Sequence, residues 1–383
     1  MSNGAQSPQG PDLKELGDRI RLVDKLIVNL LGMRIRDLAL KVQEYKAEHG
    51  GDVIRLEVEK ERLKFVQSLA GELGIDPGFM LTVFWPIIAE TGRVQILARQ
   101  AGEKKTDLSP RALKANLLAL TAEIAPIYDD YYGLERFANA AYGAREQGMI
   151  DRQIAELKIS VNSDTAGELA VDLGCATGRM SFYVAGRFGR VVGFDISPAM
   201  IAQAEANRRP GLTGVEFKVA DIGYGIPFSN NSVSLAIMNL GTASDVSDIK
   251  SVLANTKRTL KPGGRFMLSF YNAGALLNSC WFLPWQVSLA AKIDRLNRCL
   301  EVRLKGRIFL VPATAYTRSE VQSLVENAGL RLLEISTYPT VSSILPDELF
   351  GDPRMRESVT AMDDALARLN MGAYILVAGE KPS

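Results

Sequence analysis

The chain has 383 residues, 47% hydrophobic and 23% charged, the composition of ordinary globular domains and enough length for two of them. Lysine and arginine total 45 against 44 acids, so no basic excess points to nucleic acid. The single histidine, His49, and the scattered cysteines Cys175, Cys280 and Cys299 exclude a histidine-rich metal centre or a Cys/His finger. No metal is therefore expected. A disulfide framework is not expected either, and the thiols point to a reducing, cytoplasmic compartment.

Residues 1–12 are polar and lack the apolar core of a signal segment. Residues 13–46 read as one long amphipathic helix, with Ile20, Val23, Ile27, Leu30, Leu31, Leu38 and Val42 at three- and four-residue spacing. A helix that long cannot bury its stripe against itself and needs a partner. His49-Gly50-Gly51-Asp52 ends it, and two shorter helices follow over 53–73 and 78–99, separated by Gly74 and Asp76-Pro77. The polar stretch 101–110 marks a boundary between a helical domain, 12–105, and a second domain, 106–383.

Residues 111–160 again have helical spacing, with Tyr128, Tyr131 and Tyr132 clustered. From Glu168 onward short apolar strands (168–173, 191–194, 215–219, 234–238, 265–270) alternate with helices (180–188, 198–207, 245–260). That alternation implies a parallel, doubly wound sheet. An insertion over 271–318 carries Trp281, Phe282, Trp285 and Tyr316. Its apolar run 281–291 is too short to cross a bilayer and reads as a buried or substrate-facing helix, so no membrane partner is expected. A helix over 319–328 and strands over 331–336 and 373–378 close the sheet.

The sharpest motif is Val171-Asp172-Leu173-Gly174-Cys175-Ala176-Thr177-Gly178, placed where a strand ends and a helix begins. Gly174 and Gly178 permit a tight turn and close approach of a ligand, and the following helix aims free N–H groups there. The next strand ends in Asp195, which can accept from both hydroxyls of a ribose. Asp221 follows the third strand, in position for an adenine amino group. A dinucleotide oxidoreductase would place a pyrophosphate beside the glycines, where Asp172 repels it; the ammonium of an amino acid is attracted instead.

This set resembles the class I S-adenosylmethionine-dependent methyltransferases over 168–270, and more loosely to 383. The family's acidic residue and Gly-x-Gly-x-Gly read here as Asp172, Gly174, Ala176 and Gly178, with Cys175 between the first two small residues and Ala176 replacing the middle glycine. Asp195, Ile196 and Met200 match the ribose segment, Asp221 and Ile222 the adenine segment, and Asn239 and Leu240 the strand end beneath the methionine moiety. The resemblance implies S-adenosyl-L-methionine as cofactor and a small-molecule acceptor. With no histidine after His49, a base would come from acids or tyrosines, and Tyr128, Asp129 and Tyr132 are the candidates in a segment that folds over the cofactor in this family. A solvated helix with a packed aromatic face is the competing reading of that segment.

Residues 13–100 resemble the all-helical chorismate mutases, through the long helix, the Gly50-Gly51 loop, Asp76-Pro77 and the run Ile87-Ile88-Ala89-Glu90-Thr91 with Gln95. The resemblance implies that Lys46 and Gln95 bind an ether oxygen and that Glu59 and Thr91 are polar pocket residues. Arg34 becomes a carboxylate-gripping arginine only if the register shifts by one residue later in its helix. Gly17 or Asp18 and Val58 stand where the family has further arginines. The expected fold is thus an α-helical, dimerising mutase-like domain followed by a Rossmann-like methyltransferase with a helical insertion. The expected function is methylation of a small molecule, with a degenerate mutase domain that supports a homodimer. The alternatives are a bifunctional mutase and methyltransferase, or a non-catalytic dimeric sensor binding the cofactor or an aromatic acid.

Overall fold

A computed structural model describes residues 12–49, 56–101, 107–132, 136–157, 167–279, 291–304, 307–345 and 347–383. The chain divides into two compact units, 1–106 and 107–383.

In the first unit, α1 (Leu13–Gly32) runs through a π-helical segment, Met33–Leu38, into α2 (Ala39–His49). Helices α3 (Leu56–Glu72) and α4 (Pro77–Ala101) pack against each other, and α2 packs on α4. The interior contains Ala39, Val66, Ala70 and Ile88, together with polar Gln43, Thr91 and Gln95. No residue of α1 is buried: Ile20 is 62% exposed and Leu30 63%. The amphipathic period is there, but within one chain its apolar face is uncovered.

The second unit opens with α5 (Pro110–Ile124), α6 (Tyr128–Tyr132) and α7 (Phe137–Glu156). Ser109 accepts the Ala112 N–H, so α5 has a serine cap followed by proline in its first turn. The alternating region forms β1 (Leu169–Leu173), α8 (Arg179–Val184), β2 (Arg190–Asp195), α9 (Pro198–Ala206), β3 (Val215–Val219), β4 (Val233–Met238), α10 (Thr242–Asp245), α11 (Ile249–Thr259) and β5 (Leu260–Tyr271). After the insertion come α13 (Arg318–Asn327), β9 (Arg331–Tyr338), α14 (Pro353–Leu366) and β10 (Tyr374–Glu380). The insertion itself contributes a short α12 (Leu276–Ser279) and β6 (Ala291–Asp294), β7 (Cys299–Leu304) and β8 (Arg307–Pro312).

The main sheet has seven strands in the order β3-β2-β1-β4-β5-β10-β9. The chain reverses direction across the sheet between β1 and β4, the switch point where ligands bind at the carboxyl ends of strands. β1 and β4 are buried along their whole length, as strands covered on both faces require. One expectation needs correcting: β10 runs antiparallel to both β5 and β9, so the sheet is mixed at its closing edge. The described part of the insertion also differs from the helical cap expected. β6, β7 and β8 form a three-stranded antiparallel sheet, in which Val302, Leu304, Phe309 and Val311 pack on Leu120 and Ile124 of α5. Leu300, Val302 and Leu304 of β7, two residues apart, share the face that packs on α5, while Cys299 and Glu301 are buried on the other face. Trp281, Phe282 and Trp285 lie outside the described residues, as do Gly50 and Gly51. Among the described residues no helix is long and apolar enough to cross a membrane.

Candidate functional site

The turn after β1 is held by the neighbouring strand: the Gly174 and Cys175 N–H groups both donate to the Phe194 carbonyl, at 2.7 and 2.8 Å. Gly174 and Gly178 have φ of +82° and +88°, and a Cβ on Gly178 would meet the Phe217 ring at 2.7 Å. Both glycines are therefore required twice over, by backbone angle and by space. Ala176 also has positive φ, 45°, and its N–H donates to Asp195 Oδ2 at 2.9 Å.

Asp172 is fully buried at the end of β1. The Ser181 hydroxyl donates to Oδ2 at 2.7 Å, while Oδ1 is shielded from solvent and has no partner. Burial raises its carboxyl to about 6. Asp195 accepts backbone N–H groups from Ala176 and Ser197, and burial pushes its carboxyl upward against those donors. Asp221 takes the Gly223 N–H on Oδ1 and a 2.7 Å ion pair from Lys114 of α5 on Oδ2. Ile222 and Met200 are apolar packing residues beside these acids, and Ile196 follows Asp195 directly. Asn239 and Leu240 form the turn after β4: the Asn239 carbonyl accepts from Thr242, and Leu240 has a φ of 48°. Cys175 is a buried free thiol whose pKa burial holds up, so it fills space here. A positively charged amino group fits the open Oδ1 of Asp172, and a nucleoside fits the acids after β2 and β3. S-adenosylmethionine carries both.

The three base candidates differ in what they touch. Asp129 has both oxygens occupied, by the Thr177 hydroxyl at 2.6 Å and the Asn207 amide at 2.8 Å, and so fastens α6 to the glycine turn. Tyr128 and Tyr132 lie ring to ring at 4.6 Å, and burial holds the Tyr128 phenol well above its usual range.

Sequence reasoning missed a second group at this edge. Glu146 of α7 is fully buried, accepts from Tyr142 at 3.0 Å and pairs with Arg179 at 3.2 Å; burial raises its carboxyl to about 7. Asp245 ends α10, with the Tyr271 hydroxyl 3.4 Å from Oδ2. Tyr374 packs against Tyr142 and Tyr271, with ring centroids at 4.7 and 5.9 Å. A signal for Asp245 was present, since it is an acid soon after a fourth strand, as Asp195 and Asp221 follow the second and third.

In the helical unit, Lys46 Nζ donates to Gln95 Oε1 at 3.2 Å, across 49 residues of sequence, so this pair is brought together. Buried Thr91 spends its hydroxyl on the Ile87 carbonyl. Arg34 is partly buried with its Nε unpartnered. Burial and the nearby Arg62 lower its pKa, opposed by Glu59. Arg62 itself is held by Glu59 at 3.2 Å. The π-helical segment over Met33–Leu38 holds one residue more than an α-helical path would, which is the one-residue register shift that Arg34 requires.

Residues 16–96 match the family model described as chorismate mutase type II, and residues 164–329 the one described as methyltransferase domain. The two matches fall on separate stretches of the chain, one in each unit. Among curated relatives, the arsenite methyltransferase of Halobacterium salinarum is 27% identical over 47% of this chain and 42% of its own length. The demethylmenaquinone methyltransferase of Tropheryma whipplei is 35% identical over 27% of this chain and 42% of its own. This chain thus spans under half the length of both. A solved S-adenosylmethionine-dependent methyltransferase from Clostridium acetobutylicum aligns with a TM-score of 0.42 at 13% identity, over 63% of this chain and 92% of that one.

Proposed function

We propose that the chain is an S-adenosylmethionine-dependent methyltransferase acting on a small molecule, with a mutase-type helical unit that serves a homodimer. The observation that carries the reading is the unpartnered, buried Oδ1 of Asp172 behind the Gly174–Gly178 turn, beside the partly engaged carboxylate of Asp195. When bound, the cofactor supplies an electrophilic methyl group on a sulfonium. Asp172 would take its ammonium, Asp195 its ribose and Asp221 its adenine, with Ile222, Met200, Asn239 and Leu240 around them. The protein's own contribution is alignment and exclusion of water. Tyr128 and Tyr132 would close the acceptor side, while Asp129 positions them. The buried free thiols Cys175 and Cys299 suit a reducing cytoplasm. The expected result for Asp195→Ala is a loss of about 2–4 kcal/mol in S-adenosylhomocysteine binding, from two charge-assisted hydrogen bonds. Unchanged calorimetric affinity in a folded variant overturns the assignment.

A second reading, a working mutase, is favoured by the Lys46–Gln95 contact and by Arg62 lying near enough to Arg34 to act on its charge. Against it, Arg62 is occupied by Glu59. Gly17 or Asp18 and Val58 also remain without charge suited to a dianion.

A further inference from the structure

The carboxyl edge of β4, β5 and the start of β10 collects chemistry that cofactor binding does not use. α10 is fixed there: the Tyr271 N–H donates to the Ser244 hydroxyl at 2.8 Å, and the Thr314 N–H to the Ser244 carbonyl at 2.8 Å. Gly241, with a φ of 80°, brings the backbone against the Tyr271 ring, where any side chain would collide. Asp245 is thereby presented at a set position. Its residue is only partly buried, yet Oδ1 is shut from solvent and has no partner, and its other oxygen has only the 3.4 Å contact from Tyr271. A carboxylate held this way lacks a donor that the fold itself does not supply.

The surroundings define what that donor is attached to. Tyr132, Tyr271 and Tyr374 are partly buried and close enough to perturb one another, so flat apolar surface with hydroxyl edges surrounds the position. The groups that act on Asp245 are Tyr271 and Asp195, besides burial, and none is a cation. Arg179 is engaged by Glu146. A carboxylate or phosphate on the acceptor beside Asp245 would be desolvated there with no cation to balance it.

We propose that Asp245 receives the acceptor: its Oδ1 takes the hydrogen bond, and then the proton, of a hydroxyl or amine on a small ring compound carrying no negative charge beside that group. In the proton transfer the O–H bond of a hydroxyl acceptor, or one N–H bond of an amine in its ammonium form, breaks, its electron pair stays on the heteroatom and a new O–H bond forms on Oδ1. The proton returns to solvent as product leaves. Burial raises this carboxyl to about 8, so its ionised, proton-accepting form gains population as pH rises towards that value. The inference rests on the methyltransferase reading and deepens it.

The test uses the full chain saturated with S-adenosylhomocysteine and follows by calorimetry the binding of four probes: catechol, benzylamine, benzoate and phenyl phosphate. Catechol or benzylamine is expected to bind, and whichever binds tells whether the donor is hydroxyl or amine. The two anions should bind at least about tenfold more weakly than that probe. Asp245→Asn should weaken the bound donor about tenfold or more while S-adenosylhomocysteine affinity stays within about twofold. Tyr271→Phe, which keeps the carboxylate, should retain donor binding and serves if Asp245→Asn does not fold. Equal donor binding to Asp245→Asn, stronger binding of the anions by the unmodified protein, or binding of no probe overturns the proposal. Failure of the unmodified protein to bind S-adenosylhomocysteine overturns the methyltransferase reading beneath it.

Discussion

In the helical unit, α1 leaves its apolar stripe uncovered within one chain and the packed helices gather cations, with Arg34 and Arg62 close together and Lys46 on Gln95. In the sheet unit, β1 and β4 are wholly buried and the strand edge gathers acids: Glu146, Asp172, Asp195 and Asp245. The difference is one of charge. Cations packed together repel, and acids pressed into a low-dielectric edge hold raised pKa values. It is also one of completeness, because the sheet covers its own core and α1 does not.

The largest effect should come from the uncovered stripe. Ile27 is 50% exposed within one chain. If a second copy covers it, Ile27→Glu buries an unpaired charge and costs about 3–5 kcal/mol. Light scattering should then show the dimer mass fall to that of one chain. A monomeric mass for the unmodified protein at micromolar concentration, with its helical unit folded, removes the contrast.

Next is the cationic pocket. Two missing charge-assisted contacts of ~2 kcal/mol each leave chorismate turnover about a thousandfold below that of dedicated mutases. Following chorismate absorbance for the full chain and for Lys46→Ala checks this. Fast turnover that the substitution abolishes would show that the helical unit is a working mutase despite the missing arginines.

The acidic edge should appear as a pH dependence of stability. Burial raises Glu146 from 4.5 to about 7, Asp172 from 3.8 to about 6 and Asp245 from 3.8 to about 8. Each folded value lies above the unfolded one, so the folded state binds more protons in between. Stability is fully present below about pH 4 for these groups and is lost as pH rises towards 8. Glu146 alone accounts for at most about 3 kcal/mol. Urea unfolding of the ligand-free protein at pH 5 and pH 8 should show the fall, and Glu146→Gln should flatten it.

The smallest effect belongs to Lys114, whose pair with Asp221 is part exposed. Lys114→Ala should change stability by under about 1 kcal/mol, and the change should vanish in high salt.

Much of this was legible from period and position. The strands read as apolar runs, and Asp172, Asp195 and Asp221 stood out because each lies at or just beyond the end of a strand. Tyr374 was not. Read in a parallel sheet, the first residue of a strand lies at the edge away from the ligand, but β10 is antiparallel, which carries Tyr374 to the carboxyl edge. Glu146 gave no signal because it shares its helix face with Tyr142, Met149 and Ile150, a pattern that spells core until Arg179 arrives from a distant segment. The described strands of the insertion were overlooked because the aromatic run before them drew the reading towards a helix. α14 was missed although Asp352-Pro353 caps and opens it.

The π-helical segment at Met33–Leu38 makes the first helix a phase shifter. Each residue turns an α-helix by about 100°, so one extra residue rotates everything on one side of it by that angle relative to the other. Arg34 and the stripe of α1 are set by that rotation, while Lys46 lies beyond it. Deleting a single residue within 33–38 would restore a plain helix yet dephase its two halves, turning Arg34 and the stripe together away from Lys46 and Gln95. The phase of Arg34 and that of the α1 stripe are thus set by the same inserted residue, and an insertion or deletion there shifts both together.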